Sequence, residues 1–323
     1  SPRAIALASF LALAAAPIAL AGPLNPPAGP ITSTGKPLAE IQPRTAINAA
    51  NTPGSAAAVH EITASGSYYL TADILVPAGL TGLRITANDV TIDLNGFRIY
   101  GFGGSGNGIQ TAFISGGSTI TLRNGTLEGV SNGVSVYAQT LNIQNLNAID
   151  CTADGFNLSG NAIRVDHCGA YRCTGDGFEV GGDAVMTACS SDSCSGRAYN
   201  VSGALTAADC SAAGLGFSAA GFYAISLNLT NCLASGCSDG FNASVSITAS
   251  NCTARAGQAG FFLRASNGQA NLSGCLTAGC TSAGFALINS RNATLTQCTA
   301  DACGIGFNPG VGARLQGCVA ANN

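Results

Sequence analysis

The stretch QCTADACGIGF, Gln297–Phe307, contains two cysteines five positions apart, followed by a Gly-Phe pair. Aligning the chain on the first of these cysteines reveals a repeat with steps of 20 to 23 residues. One column contains Cys168, Cys189, Cys210, Cys232, Cys252, Cys275, Cys298 and Cys318, and Leu146 continues it one step earlier. A second column, five positions on, contains Cys151, Cys173, Cys194, Leu215, Cys237, Gly257, Cys280 and Cys303. The cysteine spacing is therefore a property of the repeat.

The aromatic residue of the Gly-Phe pair forms a third column. Its members are Phe156, Phe178, Tyr199, Phe241, Phe261, Phe285 and Phe307, with Phe217 or Phe222 in the coil where the register is ambiguous. Short apolar alternations between Gly and Asn predict several short strands per repeat. A fixed period without a leucine ladder or helical segments is typical of a β-solenoid. We therefore predict an all-β parallel β-helix of about 21–22 residues per coil, with columns stacked at about 4.8 Å.

Several segments resemble a known family. GSYYLTADI, NDVTIDLNGFRIYG and repeats related to N-C-x-A-x-x-C-x-x-x-G-F resemble the right-handed parallel β-helix repeat proteins of the pectate-lyase-like superfamily. The stretch GPLNPPAGPI, followed by PRTAINAANTPG, resembles a secreted bacterial subgroup of these proteins. The resemblance implies a right-handed coil. It does not imply one activity, because the superfamily includes lyases, hydrolases, epimerases, adhesins and spike proteins.

The chain divides into three parts. A basic residue followed by an apolar run predicts a secretory signal peptide at residues 1–21, and hence a secreted, extracellular protein without a membrane span. Residues 22–58 are rich in proline and are predicted to be an extended leader. The β-helix is predicted at 59–323, with irregular coils at 59–145 and coils carrying the cysteine and aromatic columns at 146–323.

The low charge of the chain excludes some classes of binding partner. Only 9% of residues are charged, and 13 basic residues against 16 acidic ones give no cationic surface for nucleic acid. We expect no cofactor, and polysaccharide or other cell-surface material as the partner. The sequence stops at GCVAANN, inside a new coil, and an open coil presents unpaired strand groups. We therefore expect this end to be covered by a partner, by self-association through the last coil, or by further residues of a longer chain.

The cysteines allow three interpretations. A metal site is disfavoured, because CxxC knuckles are absent and His167 is the only histidine near the columns. Disulfides are possible in an exported protein, since stacked Cα atoms lie within bridging distance. The favoured interpretation is that cysteine is a small buried packing residue, because Leu146 and Gly257 complete the same columns.

Alternation along a strand places the residue after each aromatic on the outer surface. These residues are Asn157, Glu179, Asn200, Asn242, Phe262, Ala286 and Asn308, with Tyr223 if Phe222 holds the register. Amides with aromatic rings suit sugar hydroxyls and sugar faces, so we predict carbohydrate binding along this column. The alternative is an ordinary solvated strand face.

Candidate catalytic residues are Asp154, Asp176 and Glu179. The two aspartates precede Gly-Phe pairs on adjacent coils, so their carboxyls could approach as paired glycosidase carboxylates do. The favoured alternative is that Asp before Gly is a turn residue that caps backbone groups. Outside residues 1–36 the chain has no lysine, and no acidic calcium cluster that a lyase would use is evident.

These observations favour a secreted, non-enzymatic β-helix protein with a structural or carbohydrate-contacting role. The alternative is a carbohydrate-active enzyme, a polysaccharide lyase or glycosidase, acting at the patch formed by Asp154, Asp176 and Glu179.

Overall fold

The computed structural model describes residues 44–112, 117–214, 219–264, 268–287 and 290–323. They form 33 strands, and all described residues belong to one compact unit. The predicted signal peptide lies outside the described residues, as do residues 22–43 of the predicted leader. Among the described residues there is no helix with the length and apolarity needed to cross a membrane.

In chain order the strands are β1 (Thr45–Ile47), β2 (Ala58–Ile62), β3 (Gly66–Leu70), β4 (Ile74–Val76), β5 (Thr81–Ile85), β6 (Val90–Asp93), β7 (Arg98–Gly101), β8 (Ile109–Thr111), β9 (Thr119–Glu128), β10 (Val134–Tyr137), β11 (Thr140–Ile149), β12 (Phe156–Ser159), β13 (Ala162–Asp166), β14 (Gly169–Tyr171), β15 (Phe178–Gly181), β16 (Ala184–Thr187), β17 (Ser190–Asp192), β18 (Tyr199–Val201), β19 (Ala204–Ala208), β20 (Ser211–Ala213), β21 (Phe222–Thr230), β22 (Leu233–Ser235), β23 (Asp239–Ser250), β24 (Thr253–Arg255), β25 (Ala259–Leu263), β26 (Gln269–Ser273), β27 (Leu276–Ala278), β28 (Ala283–Ala286), β29 (Thr294–Thr296), β30 (Thr299–Asp301), β31 (Ile305–Asn308), β32 (Arg314–Gln316) and β33 (Val319–Ala321).

The strands pair in parallel and in register with those of the next coil, so each coil contributes to three stacked faces. The aromatic face contains β2, β5, β8, β10, β12, β15, β18, the first parts of β21 and β23, β25, β28 and β31. The broad face contains β1, β3, β6, β13, β16, β19, β26, β29 and β32 with parts of the longest strands. The narrow face contains β4, β7, β14, β17, β20, β22, β24, β27, β30 and β33 with the ends of β9 and β11. The predicted all-β parallel β-helix is confirmed.

Coil length differs along the chain. Tyr68 lies opposite Ile92, a step of 24 residues, and Ile92 lies opposite Leu122, a step of 30. From Leu122 onward the steps stay near 21, beginning with its pairing to Ile143.

The first strand, β1, falls within the segment predicted as a leader, and its Ile47 is buried in the core.

The cysteines occupy the corners of the coil on either side of the narrow face. Each follows a residue in the left-handed region, with φ between 50° and 67°; these are Asp150, His167, Arg172, Ala188, Ser193, Asp209, Asn231, Gly236, Asn251, Gly274, Gly279, Gln297, Ala302 and Gly317. Such a residue reverses the chain sharply and lets the next side chain point inward. In the coils that carry the cysteine columns each complete narrow-face strand has three residues, so two corners lie five positions apart. The C-x4-C spacing is therefore the length of one face plus its two corners.

Burial and thiol hydrogen bonds explain why cysteine suits these corners. All fourteen cysteines are free thiols, and all except Cys318 are buried. The thiol of Cys189 lies 3.3 Å from the carbonyl of Thr187 and 3.5 Å from that of Val165 in the preceding coil. A small side chain with a weak S–H donor thus fills the corner and partly satisfies its carbonyls. The structure agrees with the packing interpretation of the columns.

The aromatic column is a continuous interior stack from Phe156 to Phe307, with successive ring centroids 4.4–5.2 Å apart. Phe222 fills the ambiguous coil, because it lies opposite Tyr199 on one side and Phe241 on the other. Phe217 lies outside the described residues. The glycine that precedes Phe241 is required by close packing: a Cβ on Gly240 would lie 2.7 Å from the Ala254 side chain and 2.8 Å from the carbonyl oxygen of Gly260.

The last coil leaves apolar side chains uncovered. Leu315 continues the buried broad-face column yet is 44% exposed, and Val319 on the narrow face is 53% exposed. Self-association through this coil stays a prediction.

Candidate functional site

The predicted outward residues form one column on the aromatic face. In register, they run through Asn157, Glu179, Asn200, Tyr223, Asn242, Phe262, Ala286 and Asn308. Each member lies directly beside its neighbours on the adjacent coils, at the parallel-strand spacing of about 4.8 Å. We call this set the outer row.

The two candidate catalytic aspartates lie beside the outer row and have a structural task. Asp154 Oδ1 accepts a hydrogen bond from the backbone N–H of Asp176 at 2.9 Å, and Asp176 Oδ1 accepts one from the N–H of Arg197 at 2.6 Å. Asn132 caps the N–H of Asp154 in the same way at 3.0 Å. One carboxylate oxygen of each aspartate therefore caps the next coil, as the turn interpretation predicts.

The second carboxylate oxygen of each aspartate faces the outer row. Asp154 Oδ2 accepts a hydrogen bond from the Asn157 amide at 3.0 Å, and Asp176 Oδ2 accepts one from the Asn200 amide at 2.8 Å. The Asn200 amide also donates to the carboxyl of Glu179. The structure thus brings the candidate catalytic residues into one hydrogen-bonded cluster, with Asn200 at its centre.

Glu179 has a strongly perturbed carboxyl. Burial, followed by the neighbouring carboxyls of Asp176 and Asp154, raises the pKa of Glu179 to about 7, and the hydrogen bond from Asn200 opposes part of this rise. A buried carboxyl beside another carboxylate keeps its proton longer because its ionised form is poorly solvated and repelled. Near neutral pH the cluster therefore contains a carboxyl that can both donate and accept a proton.

Two arginine–asparagine–aspartate relays flank Tyr223. In one, Arg197 Nη1 donates to Asn200 Oδ1 at 2.8 Å, and Asn200 donates to Asp176. In the other, Arg264 Nε donates to Asn242 Oδ1 at 3.2 Å, and Asn242 Nδ2 donates to Asp239 Oδ2 at 2.6 Å. The guanidinium carbons of Arg197 and Arg264 lie 4.1 Å and 5.9 Å from the Tyr223 ring centroid. The relays orient polar groups on both sides of one aromatic ring.

A surface cavity of about 290 Å³ lies between these relays. Its lining includes Asp176, Arg197, Tyr223, Asp239, Asn242 and Arg264. Asn242 is only 1% exposed, although its column position predicts an outward side chain. Burial raises the pKa of Asp239, while Asn242 and Arg264 favour its ionised form. The cavity is therefore lined by fixed, hydrogen-bonded polar groups.

The remaining predicted residues lie further along the outer row, outside the cavity lining. Phe262 packs against Ala259, Ala283 and Ala286, and the Arg264 guanidinium lies 5.7 Å from its ring centroid. Asn157 and Asn308 lie towards the two ends of the row. Both aromatic rings of the row thus have an arginine beside them, so neither ring is a bare stacking platform.

Sequence reasoning missed Arg197 and Arg264. Arg197 occupies the position of Asp154 and Asp176 in its own coil, so a third charged residue in that column was a detectable signal. Arg264 follows β25 and lies two residues beyond Phe262, which is the next outward position by alternation. Among the described residues, no group of three or more His, Cys, Asp or Glu side chains is arranged to hold a metal ion.

The stacked parallel coils with an outer polar row define a parallel β-helix repeat protein. Residues 81–300, more than half of the chain, match the family model described as right handed beta helix region. The chain therefore belongs to the right-handed β-helix family, which confirms the predicted hand. No curated protein and no solved structure matches the chain.

Proposed function

We propose that this protein is an exported, non-enzymatic β-helix of the pectate-lyase-like group that contacts carbohydrate of a cell surface or extracellular matrix through the outer row. The observation that carries the proposal is the pair of arginine–asparagine–aspartate relays beside Tyr223, which hold donors and acceptors in fixed positions on a rigid face. Planar amide, carboxylate and guanidinium groups are suited to pairs of sugar hydroxyls. Export rests on the predicted signal peptide.

The structural role of the aspartates supports a non-enzymatic function. Asp154 and Asp176 each use one oxygen to cap a neighbouring coil and the other to hold an asparagine of the outer row. A carboxylate that is already engaged at both oxygens is poorly placed to attack a sugar or activate water.

A specific observation favours a second candidate, a glycosidase. The pKa of Glu179 is raised to about 7 beside Asp176, and a protonated carboxyl near a carboxylate is the arrangement that general-acid cleavage of a glycosidic bond requires. In this alternative Glu179 protonates the leaving oxygen.

A panel of acidic and neutral polysaccharides separates the two candidates when both retention and soluble products are measured. The variants are Glu179→Gln and Asp176→Asn, with Asp192→Asn, an exposed aspartate of the narrow-face strand β17, as the matched control. We expect retention of the wild type on at least one polysaccharide and no release of oligosaccharide.

Product formation that Glu179→Gln abolishes and Asp192→Asn preserves would establish the glycosidase instead. Absence of both retention and products across the panel would contradict both candidates and leave a purely architectural role.

A further inference from the structure

The charges around the cavity indicate which class of sugar it accepts. Two arginines and two aspartates line it, so these four side chains have no net charge when all are ionised. Asp154 adds negative charge beside the outer row next to Asp176, and Glu179 adds more once the pH exceeds its pKa of about 7. An anionic sugar would gain from Arg197 and Arg264 but would meet the acidic end of the row, and a cationic one would face both guanidinium groups. Neither ionic class is complementary to this balance.

The hydrogen-bonding groups fit hydroxyls. In each relay the arginine and the asparagine hold each other in place. Arg197 uses Nη1 on Asn200, and its guanidinium carries further N–H groups. The carboxylates of Asp176 and Asp239 also line the cavity, and each can accept more than one hydrogen bond per oxygen. A donor and an acceptor side by side match two neighbouring hydroxyls of one sugar ring, each of which can donate and accept. Tyr223 lies between the relays and supplies an apolar edge.

The size of the cavity limits its occupant. At about 290 Å³ it lies just below the range of roughly 300–1,000 Å³ for small-molecule sites. The near-complete burial of Asn242 shows that part of the lining is built into the protein instead of being a flexible surface group. These features suit one unit of a longer saccharide whose remaining units follow the outer row.

We propose that the cavity between the Arg197 and Arg264 relays is a subsite for an uncharged sugar unit that carries vicinal hydroxyls. This inference rests on the proposed function and adds to it the class of ligand and the place where that ligand is selected.

The test measures affinity for two sets of oligosaccharides of equal length. The neutral set is xylo-, cello-, manno- and galacto-oligosaccharides, and the charged set is oligogalacturonate, alginate and chitosan oligosaccharides. The variants Arg197→Gln and Arg264→Gln keep a polar side chain but remove the fixed guanidinium. Arg255→Gln, an exposed arginine at the end of the narrow-face strand β24, is the matched control. Thermal unfolding of each variant confirms that the fold is intact.

We expect a neutral oligosaccharide to bind more tightly than every charged one, with little dependence on salt. Its dissociation constant should rise at least about tenfold in Arg197→Gln and Arg264→Gln, as loss of a hydrogen bond from a charged group predicts, and stay unchanged in Arg255→Gln. Tightest binding to a charged oligosaccharide, with steep salt dependence, would overturn the inference and leave the proposed function standing. The inference would also be overturned, with the proposed function still standing, if glycan binding persists and its dissociation constant is unchanged in both Arg197→Gln and Arg264→Gln. Failure of every oligosaccharide and polysaccharide to bind would overturn the proposed function together with the subsite.

Discussion

At the scale of the residue, Glu179 shows how the stacking of coils changes ordinary chemistry. Asp176, on the same coil, and Asp154, one coil back, oppose the ionisation of Glu179. Asn200, on the next coil, favours it. The cluster therefore depends on in-register stacking, and the pKa of Glu179 depends on the carboxyl and amide groups that stacking places beside it.

The raised pKa of Glu179 predicts a pH-dependent stability. Because the folded state holds this proton up to about pH 7 and the unfolded chain releases it near the ordinary value of 4.5, stability is lost as the pH rises through this interval. In Glu179→Gln, which resembles the protonated form, that loss should vanish. We expect the variant to be more stable than the wild type at pH 8 by about 1 kcal/mol, since solvent screens part of the interaction. Urea unfolding at pH 5 and pH 8 measures the difference.

The comparison of the two pH values is the control, because all other acidic residues are the same in both proteins. A stability difference between Glu179→Gln and the wild type that is the same at pH 5 and pH 8 would contradict the perturbed pKa.

At the scale of the element, the coil is defined by its corners and by its aromatic stack. The left-handed residue before each cysteine fixes where a face ends, and the glycine before each phenylalanine of the stack lets the next coil approach. Tyr199 takes the place of phenylalanine in one coil, and its single buried O–H is shared between the carbonyl oxygens of Cys189 at 2.7 Å and Ser211 at 3.0 Å. Burial accordingly raises the pKa of Tyr199 well above its ordinary value.

Phe241 lies within the stack, 5.1 Å from the Phe222 ring and 4.7 Å from the Phe261 ring. Phe241→Ala removes a fully buried ring and opens a cavity that two neighbouring coils line. We expect a loss of about 3–5 kcal/mol in the free energy of unfolding, measured by urea titration.

Phe102→Ala is the matched substitution, because Phe102 is 71% exposed. It should change stability by no more than about 0.5 kcal/mol. Similar effects of the two substitutions would contradict an energetic role for the stack.

At the scale of the whole molecule, the cysteine columns distribute thiols along the solenoid. The N–H of the residue after each first-column cysteine bonds to the carbonyl of the cysteine one coil back, as Ser211 does to Cys189 at 2.9 Å, so these cysteines are stacked in register. Burial raises the pKa of Cys168 to about 12 and that of Cys237 to about 11, so these two thiols react slowly with oxidants. Because thirteen of the fourteen cysteines are buried, oxidants have little access to them.

Thiol titration of the complete chain tests this directly. In denaturant without reductant, we expect all fourteen cysteines to react, because none is paired in the structure. The same titration after reduction supplies the reference value. If half or more of the thiols appear only after reduction, the cysteines are disulfide partners and the packing explanation is wrong.

The repeat period, the parallel β-helix and the inward-facing columns could be predicted because each depends on a pattern that recurs in every coil. The steps between cysteines fixed which residues stack, and the pairing of Tyr199 with Phe222 resolved the one ambiguous coil. The outer row followed from alternation alone. The structural reason for the C-x4-C spacing did not follow, since a left-handed corner is formed here by residues as different as His167, Ala188 and Gln297.

The sequence by itself thus determined the coil, its columns and the row of residues on its outer surface, because these follow from periodicity and strand alternation. Only the tertiary structure decided which of those residues form a site. Arg197 and Arg264 meet at Tyr223, Asn200 joins two carboxyls, and Asn242 becomes buried through contacts between coils. Those contacts depend on side-chain directions and local charge, which vary from one coil to the next and leave no periodic trace in the sequence.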